Sequence, residues 1–259
     1  MITSTSNPRI QAARRLRRRS GRDEAGAYLV EGVRAVTAAL ELGGPVREVF
    51  LDPDSAYAAT VTRAADEAGV DVTPVSPAVI KALSDSATPQ GTVAIVAAPG
   101  DSFDSLDADV DLVLVLAEVG DPGNAGTLVR SAVAAGAGAV VFTTGSVDAL
   151  NPKTVRATAG NLWGARVIRD VSITEALADL RARGFTLVGT DGGASTSYDE
   201  VDLRGRSAIV VGNEAWGLPD EASGAVDELV AIPMPGPPES LNAAIAGSIL
   251  LFEAVRQRS

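Results

Sequence analysis

The chain contains neither cysteine nor histidine. The first absence removes disulfides, thiolate nucleophiles and Cys-based zinc sites. The second removes any Ser-His-Asp triad and every imidazole base or metal ligand. With both gone, no metal-ligand cluster is expected. Any acid–base work falls to carboxylates, Arg, Lys, Tyr or the substrate. Long apolar runs are also missing: none approaches the roughly 18–20 residues of a membrane span. Residues 14–22 are polar where a signal peptide would need an apolar core. A soluble, cytoplasmic protein is expected. No Walker A loop occurs. Gly136-Ala137-Gly138 follows an expected helix and precedes a strand, the reverse of a dinucleotide-binding fingerprint. That argues against a nucleotide-cofactor oxidoreductase.

What is present suffices for one large or two modest domains: 259 residues, 46% of them apolar. The net charge of −11 is unevenly spread. Residues 1–98 carry 11 basic and 11 acidic side chains, and residues 99–259 carry 11 and 22. Before Asp23 there is no acid, only Arg9, Arg14, Arg15, Arg17, Arg18, Arg19 and Arg22. Such a local basic footprint on an acidic chain suits a nucleic acid. It also suits a solvated helix face. Ile10, Ala13 and Leu16 recur at helical spacing and predict a basic helix over 7–19, with Asn7 as N-cap and Pro8 in the first turn.

Periodicity then predicts an alternation. Strands are expected over 28–30, 46–51, 70–75 and 91–97, with helices over 31–42, 56–68 and 77–83 between them. This makes a small α/β domain over 1–98. Residues 99–109 are polar, acidic and turn-rich and are expected to be a linker. A second domain over 110–259 opens on the apolar run 110–117, expected of a buried parallel strand. Further strands are expected over 139–142, 166–169, 186–190, 208–211 and 229–232. Helices are expected over 125–136, 151–161, 174–183 and 240–256. The result is a mostly parallel sheet with helices on both faces.

Three segments of this second domain sit at the carboxyl ends of expected strands, where open α/β sheets bind ligands. Asp121-Pro122-Gly123-Asn124-Ala125-Gly126 is the first. Asn124 offers a donor and an acceptor. Arg130 follows inside the helix, where it needs an anionic partner. Alone, the pair also reads as an N-cap and an arginine snorkelling to solvent. Gly212-Asn213-Glu214 is the second. Gly212 lets the backbone approach a ligand, and Glu214 can bind a cation or Arg130. Trp216, close by, reads as a lid over core. The third runs from Ile232 through Pro233, Met234, Pro235, Gly236, Pro237, Pro238 and Glu239 to Ser240, Leu241 and Asn242. A proline-rigid loop can present backbone groups to a base at low entropic cost, and Ser240 is the expected cap of the helix after it.

In this order and spacing the three segments resemble the motifs of the SpoU (TrmH-like) RNA 2'-O-ribose methyltransferases, a branch of the SPOUT superfamily. Further likeness lies in Tyr28-Leu29-Val30-Glu31-Gly32, in Thr88-Pro89-Gln90-Gly91, and in Asn151-Pro152-Lys153-Thr154-Val155-Arg156-Ala157-Thr158-Ala159-Gly160. The resemblance spans roughly residues 3–256. It implies an α/β fold: a C-terminal parallel-sheet SPOUT domain with a deep trefoil knot, preceded by a small L30e-like substrate-binding domain. It implies S-adenosylmethionine as cofactor, held by Gly212, Ile232 and Leu241 with Thr190, Asn213 and Met234. Asn124, Arg130, Glu214, Ser240 and Asn242 become the catalytic patch. Arg130 would clamp the RNA phosphate and 2'-oxygen, Glu214 would orient Arg130, and Asn124 and Ser240 would position the nucleotide. A homodimer through the knotted domain is implied, in which two protomers complete one site. Neither a metal nor a membrane is implied. The separate N-terminal domain points to 23S ribosomal RNA, gripped by the Arg9–Arg22 segment. A tRNA substrate and a non-catalytic RNA-binding role stay open at this point. Ala243-Ala244 and Ala215 depart from the family's usual Val-Ser and Gly.

Overall fold

A computed structural model describes residues 1–236 and 240–259. Of the proline-rich loop, Pro237, Pro238 and Glu239 lie outside the described residues. The chain folds as two compact units, 1–98 with 150–163, and 99–149 with 164–259.

The first unit begins with α1 (Pro8–Arg15) and α2 (Arg19–Ala25). Asn7 caps α1, its side chain accepting from the Arg9 N–H, and Pro8 occupies the first turn as expected. The single basic helix expected over 7–19 is instead two. The chain leaves helical geometry at Arg18, whose extended backbone precedes α2. Then follow β1 (Ala27–Glu31), α3 (Val33–Glu41), β2 (Val46–Leu51), α4 (Ala58–Ala68), β3 (Val72–Pro74), α5 (Pro77–Leu83) and β4 (Thr92–Ala97). The sheet order is β1-β4-β2-β3. Strand β4 runs antiparallel to both β1 and β2, and β2 pairs parallel with β3. Ile10, Ala13 and Leu16, one stripe of the N-terminal segment, pack with Leu29, Phe50, Ile80, Leu83 and Val93. The stripe that suggested a helix is thus core, and the arginines between its members face outward.

The second unit contains β5 (Leu112–Leu116), α6 (Pro122–Ala134) and β6 (Ala139–Thr143). Helix α7 (Pro152–Ala157) belongs to the first unit, so the continuous 110–259 domain expected from sequence is interrupted there. The second unit resumes with β7 (Arg166–Val171), α8 (Ile173–Ala182), β8 (Thr186–Thr190), β9 (Thr196–Ser197), β10 (Ser207–Val211), α9 (Asp220–Ser223), β11 (Glu228–Ala231) and α10 (Ala243–Arg258). Residues 99–109 are packed rather than a free tether. Phe103 is buried in this unit's core, and Asp101 accepts a 3.0 Å hydrogen bond from the Val167 N–H.

The seven strands are ordered β7-β6-β5-β10-β8-β11-β9, and every pairing is parallel. The chain builds outward from β5 to β7, crosses to β8, and later inserts β10 between β5 and β8. Strands β5 and β10 are buried at every position, which explains the apolar runs over 112–116 and 208–211. Successive side chains point to opposite faces. Val113, Val115 and Val210 pack with Ala176, Leu177 and Leu180 of α8. On the other face α10 lies against α6 and β10.

Candidate active site

The carboxyl ends of β5, β8, β10 and β11 meet where the winding direction reverses, the expected ligand crevice of an open parallel sheet. A cavity of about 220 Å³ lies there. Thr190, Gly212, Asn213, Ile232, Met234 and Leu241, the six residues implied for the cofactor, all line it. Glu214 and Ser240 line it too, as does Asp191. Small apolar residues, among them Val211, Val230 and Ala243, complete the walls.

Gly212 has a role beyond ligand approach. A Cβ at this position would lie 2.3 Å from the Gly217 carbonyl carbon, so the loop folds back on itself only over glycine. Asn213 closes that loop. Its N–H donates to the Gly217 carbonyl at 2.8 Å, and its Oδ1 accepts from the Ala215 N–H at 2.8 Å. Its Nδ2 donates to the Glu118 carbonyl at 2.8 Å. Glu118, just past β5, has φ 59°, a left-handed conformation that non-glycine residues seldom adopt. Asn213 thus ties the loop after β10 to a strained turn after β5. Trp216, expected over core, is exposed.

Three motif side chains form a directional chain. Asn242 is the N-cap of α10: its Oδ1 accepts from the Ala244 and Ile245 N–H groups at 2.9 and 3.3 Å. This corrects the expectation that Ser240 caps the helix. With its oxygen so occupied, Asn242 donates Nδ2 to Asn124 Oδ1 at 2.9 Å. Asn124 in turn donates Nδ2 to Glu214 Oε1 at 2.8 Å. Asn124 is free to do so because Asp121 caps α6, accepting from the Asn124 N–H at 2.8 Å. The Ser131 and Ser248 hydroxyls, 2.6 Å apart, clamp α6 to α10 behind this chain.

Burial alone would raise the Glu214 pKa. The hydrogen bond from Asn124 and the backbone N–H groups of Glu214, Gly120 and Asp121 outweigh it, and the group ends below the ordinary carboxylate range. Glu214 is therefore a held, ionised acceptor at the cavity rim.

Arg130 departs from the expectation. It is exposed, and among the described residues it makes no hydrogen bond or ion pair. Six residues beyond Asn124, it lies about 9 Å further along the helix and on a different side. Glu214 therefore does not orient Arg130 within one chain; its partner is Asn124. Nor is Arg130 among the residues lining the cavity.

The basic N-terminal residues also separate by environment. Arg22 is buried, and its Nη1 donates to the Leu16 carbonyl, so it braces the turn and cannot face a ligand. Arg9 pairs with Glu48, Arg17 with Asp85 and Arg19 with Asp23. Arg14, Arg15 and Arg18 are exposed without an ion pair among the described residues.

Residues 111–252 match the SpoU rRNA Methylase family, and residues 7–94 match the MRM3-like substrate binding domain. The chain belongs to the SpoU rRNA methylase family. The 23S rRNA (uridine(2479)-2'-O)-methyltransferase of Streptomyces viridochromogenes is 32% identical over 247 residues, covering 93% of this chain and 86% of its own. The 23S rRNA (guanosine(2553)-2'-O)-methyltransferase RlmP of Bacillus subtilis is 30% identical, with 97% of each covered. An AdoMet-bound rRNA methyltransferase from Sinorhizobium meliloti superposes with a TM-score of 0.87 at 31% identity, over 98% of this chain and 97% of that one.

Proposed function

We propose that the protein transfers a methyl group from S-adenosylmethionine to a ribose 2'-hydroxyl of 23S ribosomal RNA, in the cytoplasm. The single observation that carries this reading is the chain Asn242–Asn124–Glu214 beside the β-strand cavity. It joins three separate sequence motifs at one point. The relatives named above act on ribosomal RNA, and one solved relative binds AdoMet.

The cavity fits that cofactor. Val211, Val230, Ile232 and Leu241 suit the faces of an adenine, and their neighbouring backbone suits its edge. Asp191 and Glu214 supply negative charge for a sulfonium and an α-amino group. When bound, the cofactor supplies an electrophilic methyl group that needs no further activation.

The protein's task is then alignment. Good positioning alone can lower a barrier by on the order of 7–11 kcal/mol. Asn124 and Ser240 would hold the ribose, with Glu214 as a fixed acceptor for its hydroxyl. A carboxylate with a lowered pKa is a weak base, so Glu214 orients the hydroxyl and the released proton passes to water. Arg130 acts as a cation and a donor, because a guanidinium offers N–H groups but no acceptor. Its position on α6 suits the site of a second copy or the RNA phosphate at the rim.

Homodimerisation through the second unit is part of the proposal. Ile245 and Phe252, two turns apart on α10, are exposed apolar side chains that a second copy would cover. The deep knot belongs to it as well, supported by the insertion of β10 between two earlier strands and by α10 folding back on α6. Arg14, Arg15 and Arg18 would supply the electrostatic grip on RNA.

The test offers labelled cofactor and unmodified 23S rRNA, beside total tRNA. Label in rRNA that disappears with Asn124→Ala is the expected result. Label in tRNA alone would overturn the substrate, and cofactor binding with no transfer to either would overturn the enzymatic reading.

A further inference from the structure

The segments Tyr28–Gly32, Thr88–Gly91 and Asn151–Gly160 take no part in the site above. In the first unit all three meet at one cavity of about 330 Å³, within the roughly 300–1,000 Å³ range of small-ligand pockets. Charged groups of both signs, Arg34, Arg156 and Glu31, stand in its otherwise mostly apolar lining. Glu31 accepts from Arg156 through one oxygen, and from the Ser84 hydroxyl and the Asp85 N–H through the other, so the carboxylate is occupied. Asp85 is shared between Arg17 and Arg156. Arg34 lines the same cavity, exposed and without an ion pair among the described residues. The lining thus carries two guanidinium groups, Arg34 and Arg156, against one carboxylate, Glu31, on a protein whose net charge is −11.

Two further groups point to a ligand. Thr92 lines the cavity with a side chain 1% exposed, and its hydroxyl has no hydrogen-bond partner. A buried hydroxyl left unpaired is unfavourable, so a polar group brought into the cavity would stabilise it. Gln90 accepts the Val33 N–H at the start of α3 through Oε1, leaving its NH2 without a partner among the described residues. Asp85, whose N–H donates to Glu31, pairs with Arg17 of the segment that also carries Arg14, Arg15 and Arg18.

We propose that this cavity is a nucleotide subsite, taking one unpaired nucleotide of the substrate RNA other than the methylated one. Arg34, with Arg156 held by Glu31, would meet the phosphate. The Thr92 hydroxyl and the Gln90 amide would read the ribose or base edge, as proteins read single-stranded RNA. The inference rests on the RNA methyltransferase reading.

Arg34→Ala and Thr92→Val test it in the full-length protein with 23S rRNA. Thr92→Val is shape-conserving and removes an unpartnered hydroxyl, so Tm should hold or rise while rRNA affinity falls roughly 3- to 10-fold. Arg34→Ala should weaken rRNA binding and lower the slope of log affinity against log salt by about 1. Affinity for S-adenosylmethionine should stay unchanged in both. A thiouridine-substituted rRNA transcript, photo-crosslinked to the wild type, should label peptides containing Arg34 or residues 84–92. Wild-type rRNA affinity in both variants, in an enzyme that still methylates rRNA, would overturn the subsite alone. A wild type that neither binds nor methylates rRNA would remove the methyltransferase reading and the subsite with it.

Discussion

Removing the Asn124 side chain cuts the chain Asn242–Asn124–Glu214 at its centre. Two hydrogen bonds go, at 2.9 and 2.8 Å, while the helix cap survives because Asp121 accepts from the Asn124 backbone. Folding should therefore change little. Asn124 does not line the cofactor cavity, so cofactor affinity should move by less than about 3-fold, the range of a small indirect shift. The rate should respond far more. Letting a reacting group drift by about 1 Å costs on the order of 100-fold. Glu214→Ala should cost a similar factor. Independent effects would multiply to about 10⁴-fold, whereas residues acting as one unit leave the double variant close to the singles. The assay is kcat/KM for rRNA in wild type, both single variants and the double. The pH profile gives a second readout. The Glu214 pKa is lowered in the folded protein, so its ionised contribution is present at neutral pH and lost only as pH falls below the ordinary carboxylate range. Asn124→Ala removes a bond that favours the ionised form, so the acid limb should move to higher pH. A double variant whose loss equals the product of the singles, with an unmoved acid limb, would refute the shared chain.

Other expectations follow from the same geometry. Gly212→Ala places a Cβ 2.3 Å from a backbone carbon, so the loop must open and S-adenosylmethionine binding should be lost by calorimetry. Replacing Arg14, Arg15 and Arg18 together with Ala should lower the salt slope of rRNA binding by about 3, while Arg22→Ala should lower Tm instead. Phe252→Asp should shift the sedimentation coefficient from dimer to monomer, because it sets a charge on the exposed face of α10. Mixing Arg130→Ala with Asn124→Ala enzyme should restore activity if Arg130 serves a second copy's site; a mixture as inactive as its components would contradict that placement.

Local rules carried much of this fold. Strand β2 and helix α5 fall over the expected residues, since apolar alternation and a proline at the helix start define them without help from elsewhere. Buried strands β5 and β10 announced themselves as the apolar runs over 112–116 and 208–211. What periodicity missed depends on partners far along the chain. Ser240 and Asn242 are both good capping types, and local sequence does not separate them; the 118-residue link from Asn242 to Asn124 accompanies the choice of Asn242. Asn213 lines the cavity, and its added bond to the strained Glu118 turn depends on two strand ends far apart in sequence. The basic helix split because its stripe of Ile10, Ala13 and Leu16 serves a core that ends where Arg22 turns inward. Helix α7 joined the other unit because Gly160 and Ala159 fit against α3 and the pocket beside it, a packing no local signal encodes.

The most direct test of the central claim is the alkali stability of the product. The protein would be given methyl-labelled S-adenosylmethionine and unmodified 23S rRNA, and the RNA then fully hydrolysed in base. A ribose 2'-O-methyl group blocks cleavage of its own linkage, so the account predicts label in an alkali-resistant dinucleotide. Label recovered only in mononucleotides would mean methylation of a base, and would contradict the assignment of Asn124, Glu214 and Ser240 to a ribose hydroxyl.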